Sequence, residues 1–250
     1  MRMSRFWLPV ATLWRRELIR FWREKARVLG FVGSPLVFWL VLGSGFGNLA
    51  FFFPGALTLT VMFSAVFSTM SLIEDRREGF LLSMLVSPAP RSSMVLGKTL
   101  GSATLAWIQG LIFLAFAPLA GFRLGLLAAF QSVGVIFLIA LVFTLLGFFI
   151  AWQMDSSQGF HAIMNLVLVP LWMISGALFS PANAHGWMRV VMALNPLTYS
   201  LAALRQVLDP RGAAGAPGLE LSLVVTAVSA LALLAASAAV ANRKGTRSSA

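Results

Sequence analysis

The chain has 250 residues, 59% of them hydrophobic and 11% charged, with a mean hydropathy of +0.87. Soluble domains average roughly 45–50% apolar and about 25% charged residues, so these charges are too few to coat a globule and much of the surface must face lipid. Net charge is +11 and cysteine is absent; the basic residues flank apolar stretches, which argues against nucleic acid, and disulfides and thiolate metal sites are excluded.

Residues 1–27 carry eight Lys or Arg, too much charge for the apolar run of a signal peptide, so this segment is expected to be retained. On a 3.6-residue period Trp7, Val10, Trp14, Leu18 and Phe21 share one face, with Arg16, Arg20, Arg23 and Arg27 opposite. An aromatic stripe backed by a basic one predicts an amphipathic helix in the membrane interface, or one packed on another protein domain. A membrane domain over 28–241 follows. The bilayer core needs about 20 apolar residues per helix, and six stretches qualify: 28–47, 53–73, 99–120, 126–150, 160–180 and 219–241. The expected fold class is an all-α membrane protein with six spans, ending in a basic tail at 242–250.

Orientation follows from the asymmetry of Lys and Arg. With the N-terminus inside, the inner segments hold eight in 1–27, four in 74–98 and three after 241, fifteen of nineteen. Both termini are therefore expected in the cytoplasm. The inner segment 74–98 is charged at its start and amphipathic afterwards. The outer segment 181–218 is the longest, with helical stretches interrupted by Pro181, Pro196, Pro210 and Pro217.

Chemistry-bearing motifs are few. Gly97-Lys98-Thr99 ends like a phosphate-binding loop, but G-x-x-x-x-G-K-[ST] requires glycine where Ser92 stands, and this string enters a span instead of leaving a strand. Lys98 is expected to snorkel to the inner interface. His161 and His185 fall at opposite ends of the fifth span, about 30 Å apart, too far to share a metal. Asp155, beside Ser156, Ser157 and Gln158, reads as a helix cap. No acidic residue lies deep in a span, where an ion-coupled carrier would hold one. Ser64, Ser68, Thr69, Gln109 and Asn165 are intramembrane polar groups that either glue helices or line a path, with Ser64, Ser68 and Asn165 the pathway candidates. Gly43-Ser44-Gly45-Phe46-Gly47 would permit close helix packing. Glu74-Asp75-Arg76-Arg77-Glu78-Gly79 is the densest charge cluster, either a solvated loop or the start of a docking helix. The apolar run Phe80, Leu81, Leu82, Met84, Leu85 and Val86 behind it favours docking, because apolar residues in a cytoplasmic loop need cover.

Three strings together resemble the type-2 ABC transporter permeases, the exporter family of drug, polysaccharide and nodulation-factor permeases. One runs from Glu78-Gly79 to Ser87-Pro88, then Arg91 and Gly97-Lys98. Another is Ser175-Gly176-Ala177-Leu178-Phe179-Ser180-Pro181. The third is Asn195-Pro196-Leu197-Thr198-Tyr199 with Arg205 six residues on. The resemblance implies a homodimer that binds two separate cytoplasmic ATPase subunits, which hold the ATP and Mg; no cofactor is expected in this chain and no catalytic residue. It further implies a coupling helix formed by Glu74, Asp75, Arg76, Arg77, Glu78, Gly79, Phe80, Leu82 and Leu85. The amphipathic N-terminal helix would also contact the ATPase. Short re-entrant outer helices would carry Gly176, Pro181, Asn195, Pro196, Tyr199 and Arg205, and substrate would pass along the dimer interface, lined by spans one, two and five. Such a chain is a transport subunit of the plasma membrane, the bacterial inner membrane, and not itself an enzyme. Apolar residues dominate the spans and basic ones are scarce outside, which favours a hydrophobic or amphipathic cargo over a polyanion. The alternatives are an ion-coupled carrier or channel not driven by ATP, and a membrane scaffold or enzyme subunit.

Overall fold

The computed structural model describes residues 2–23, 25–181, 184–210, 213 and 215–243, without side-chain placement for 2–5, 22, 23, 25–29, 31, 85 and 243. Arg23, Arg27 and Leu85 thus lie outside the described side chains, and most of the basic tail lies outside the described residues. Helices account for the architecture, and no strand occurs among the described residues. They are α1 (Arg2–Arg23), α2 (Lys25–Gly45), α3 (Leu49–Ser68), α4 (Ser71–Arg77), α5 (Phe80–Val86), α6 (Arg91–Leu114), α7 (Leu126–Ala151), α8 (Ser157–Trp172), α9 (Gly186–Leu194), α10 (Pro196–Leu208) and α11 (Leu219–Arg243).

The core is built around α3, which packs against α2, α6 and α7. Its residues Phe53, Leu57, Val61, Met62, Ala65 and Val66 are fully buried. Lipid tails are as apolar as these side chains, so association rests on close packing at small residues. A Cβ on Gly110 of α6 would stand 2.6 Å from Val61 and 2.6 Å from Ile136, and one on Gly147 of α7 would stand 3.0 Å from the Val66 Cα. Gly43 serves the α2–α3 turn, where a Cβ would meet Leu49 at 2.5 Å.

Among the described residues, four helical stretches are long and apolar enough to cross a membrane: Leu49–Arg77, Leu126–Ala151, Ser157–Ala177 and Leu219–Asn242. In α2 the described apolar stretch is Val32–Gly45. The fully helical α6 carries Lys98, Thr99, Ser102 and Gln109 on its buried side, which lowers its apolar content. The expected third span, 99–120, is shifted toward the N-terminus: the helix begins at Arg91 and breaks after Leu114, before a short 3-10 turn at Ala117–Ala120. Past Trp172, α8 widens into a π turn over Met173–Ala177, where Gly176 has φ +96°. The expected outer segment folds as two short helices, α9 and α10.

The N-terminal helix departs from the expected faces. It lies along α6, in the most extensive helix pairing of the molecule, with Val10, Leu13, Glu17 and Phe21 buried and Trp7 exposed. Gly97 and Gly101 make the groove: added Cβ atoms would stand 3.0 Å from the Val10 carbonyl oxygen and 2.7 Å from the Glu17 Cβ. The Trp14 indole reaches Thr104 Oγ1 at 3.1 Å. The buried stripe rotates away from the aromatic one because Glu17 must face inward to meet a cation on α6.

Candidate functional site

That cation is Lys98. It does not snorkel: the residue is 3% exposed, and its Nζ donates to Glu17 Oε1 at 2.8 Å and Ser71 Oγ at 3.1 Å and pairs with Asp75. Asp75, on α4, is fully buried and is the hub of the cluster. Arg16 grips it through two bonds of 2.8 and 3.0 Å, a bidentate fork suited to a planar carboxylate. Arg20 adds a bond of 3.2 Å to Asp75 and one of 2.6 Å to Glu74. Arg16, Arg20 and Lys98 therefore balance Glu17, Glu74 and Asp75, three charges against three. Buried charges persist only when paired and hydrogen-bonded, and this balance supplies both. Burial disfavours the Arg16 charge, but its hydrogen bond to Asp75 and the attraction of that carboxylate outweigh the cost, so its pKa stands above the usual guanidinium value.

The remaining residues of the charged string divide between inward wiring and exposure. Arg76 donates to the carbonyls of Trp152 and Met154 at 2.6 and 2.7 Å and to the Asp155 carboxylate at 2.7 Å, and so satisfies carbonyls left open at the end of α7. Arg77 donates to the Asp155 carbonyl at 3.1 Å. Asp155 is thus an ion-pair partner and not the cap expected of it; Ser156 caps α8, accepting from the Gly159 amide at 3.2 Å. Gly79, at φ +76°, makes the left-handed turn that starts α5. The Phe80 ring lies 3.9 Å beneath the Arg16 guanidinium, linking α5 to the same cluster. Glu78, Leu82 and Val86 remain exposed. Beside them a groove of about 470 Å³ opens between Leu8, Pro9 and Leu13 of α1 and Met84, Pro88 and Met94.

The pathway candidates do not share a surface. Ser64 and Ser68 are buried within the bundle, with hydroxyls that lack a partner among the described residues, as does the Gln109 amide. Asn165 instead sits on the exposed side of α8, whose buried stripe is Phe160, Met164, Leu168 and Trp172.

At the opposite end of α3 the outer motif has a structural explanation. The Asn195 side chain accepts from the Leu197 amide at 2.9 Å, capping α10, and donates to the Leu171 carbonyl at 2.7 Å. Pro196 occupies the first helical position, where no amide donor is missed, and the Tyr199 hydroxyl bonds the Ala193 carbonyl at 2.9 Å. Gly176 packs against Met192 and Pro181, to which a Cβ would come within 3.3 and 3.7 Å. Arg205 is 8% exposed and, among the described residues, is held only by a 3.5 Å bond to the Phe51 carbonyl and a 4.6 Å approach to the Phe51 ring. It lies between the spans, and burial pulls its pKa down to about 10.

The three strings thus fall on α5 and the start of α6, on the π turn after α8, and on the capped start of α10. Residues 9–208 match the family model described as ABC-2 type transporter. The chain belongs to that family. Its relatives include the daunorubicin resistance ABC transporter permease protein DrrB1 of Streptomyces coeruleorubidus, 25% identical over 86% of this chain and 79% of the relative. Nodulation protein J of Rhizobium leguminosarum bv. viciae is 26% identical over 80% of both chains. Nodulation protein J of Rhizobium meliloti (strain 1021) is 24% identical over 81% of this chain and 80% of the relative. Glu17 belongs to none of the sequence motifs, and Arg16, Arg20 and Lys98 stood there as a basic face and a snorkelling lysine, not as partners of Asp75. The one signal for them was an acidic residue inside a basic helix and a lysine at the mouth of an apolar span.

Proposed function

We propose that this ABC-2 chain is the membrane-spanning permease subunit of an ATP-driven exporter, working as a homodimer with separate ATPase subunits that hold the ATP and Mg. Six spans are formed by α2, α3, α6, α7, α8 with its π turn, and α11. Both termini then face the cytoplasm of a bacterial inner membrane, and α9 and α10 re-enter from outside. A hydrophobic or amphipathic cargo crosses by alternating access at the dimer interface, where the outward face of α8 with Asn165 contributes to the path.

The observation that carries this reading is the Asp75 cluster. It joins the amphipathic helix, the segment behind α3 and the start of α6 through paired charges, at the end of the bundle where Lys and Arg concentrate. A push received at the exposed Glu78 and Leu82 by an ATPase would pass through Phe80 and Arg16 to α1 and, through Asp75 and Lys98, to α6. Asp75 and Arg76 support the docking helix from within, while Glu78, Leu82 and the adjoining groove meet the partner.

The test is affinity purification of the tagged chain with its ATPase, beside cargo efflux from cells. Glu78→Lys and Leu82→Asp are expected to insert at normal levels while efflux falls and the ATPase is lost. If both variants export normally and retain the ATPase, the coupling assignment is wrong. The chain has no cysteine, so orientation is read by an impermeant thiol reagent on intact cells. A cysteine at the exposed Arg123 should react and one at Glu78 should not; the reverse pattern overturns the topology.

A further inference from the structure

The Arg205 end of the bundle holds a second site. Arg205 lines a pocket of about 180 Å³ with Asn48, Phe51, Phe122 and Asp209. A guanidinium carries five donors in a rigid fork, yet among the described residues this one makes a single long bond, to the Phe51 carbonyl. Asp209 closes α10, giving its amide to the Arg205 carbonyl at 2.8 Å, and its half-buried carboxylate has no partner among the described residues. Asn48 spends its amide oxygen on the Phe51 amide, which leaves its NH2 group to the pocket.

A simple anion would be repelled by Asp209, and a simple cation by Arg205. Both are satisfied by one ligand that carries both signs. The two groups form no ion pair, so a ligand that meets both carries its charges at the two ends of a linker. The guanidinium fork matches the oxygens of a phosphate. An ammonium with free N–H groups matches Asp209, whereas a trimethylammonium has no hydrogen to donate. Phe51 and Phe122 supply walls for the carbon linker. We propose that the pocket binds an ethanolamine phosphate group, with the phosphate on Arg205 and Asn48 and the ammonium on Asp209. Its place at the bundle end, beside apolar helices, suits a phospholipid headgroup. The leaflet, the outer one, rests on the topology proposed above; the binding does not.

The experiment uses the purified full-length chain in detergent, without ATPase, so its failure is distinct from a failure of the transport reading. Binding of dihexanoyl phosphatidylethanolamine, phosphatidylcholine and phosphatidylglycerol is measured by calorimetric titration, with acyl-free glycerophosphoethanolamine alongside. A charge-assisted hydrogen bond is worth enough to change affinity about tenfold or more, so the ethanolamine lipid should bind about tenfold tighter than the other two. Asp209→Asn should erase that preference while phosphate-dependent binding remains. Arg205→Gln should weaken all three lipids about tenfold. Should Arg205→Gln not fold, Asp209→Asn, at a half-exposed helix end, decides. Equal affinity for glycerophosphoethanolamine assigns the site to a solute, and much weaker affinity assigns it to the lipid; either supports the chemistry. Equal binding of the three lipids by the parent, or an unchanged preference in Asp209→Asn, overturns it.

Discussion

The two ends of the helix bundle treat buried cations in opposite ways. Around Asp75, three cations from α1 and α6 meet three carboxylates from α1 and α4, and every charge has a partner inside the chain. Among the described residues, Arg205 itself is met only by a carbonyl and an aromatic ring. A charge moved out of water costs several kcal/mol unless its partner compensates. The paired end is therefore a set of ion pairs that ties α1, α4 and α6 together. The unpaired end is left with free hydrogen-bonding capacity, fit to receive something from outside.

Substitutions at both ends would break or sharpen this contrast, each read as thermal unfolding of the purified protein in detergent. The largest effect should come from Asp75→Asn, which leaves Arg16, Arg20 and Lys98 short of a charge and should cost about 3–5 kcal/mol, the usual penalty for breaking a buried ion pair. Lys98→Met should be severe for the same reason, and adding Glu17→Gln should recover part of the loss; strict additivity would mean that the two residues are not coupled.

Next in size is Gly101→Ala. Its new Cβ would meet the Glu17 Cβ at 2.7 Å, and overpacking of this kind costs about 1–3 kcal/mol. Gly134→Ala, where nothing lies within 4 Å, is the control and should be neutral or slightly stabilising. Equal behaviour of the two would show that α1 does not depend on its groove in α6.

At the far end, Asn195→Ala removes the cap of α10 and should cost about 0.5–2 kcal/mol. Arg205→Gln should have the smallest effect, within about 1 kcal/mol of the parent, because the lost contact with Phe51 is offset by relief of an uncompensated charge. A penalty for Arg205→Gln as large as that for Asp75→Asn would erase the distinction between the two ends.

Composition and pattern were enough for much of the architecture. The all-helical class followed from apolar runs, and the expected spans at 126–150 and 219–241 nearly coincide with α7 and α11. Such runs report their own solvent, since a helix of uninterrupted apolar residues has nowhere to lie except in lipid or a core. Pro196 was expected to interrupt helical stretches, and there α10 begins, with Asn195 as its cap. Periodicity described the faces of the first helix but not which of them would be covered. That was decided by Gly97 and Gly101, which let α1 approach α6 closely enough to bring Glu17 to Lys98. Arg76 pairs with Asp155 across 79 positions, and Arg205 meets Phe51 across 154; neither contact has a local signature. Pairing of buried charge depends on which helices pack together, and packing is a property of the whole bundle. The sequence alone therefore told where the charges stand along the chain, and only the tertiary structure decided which of them are satisfied.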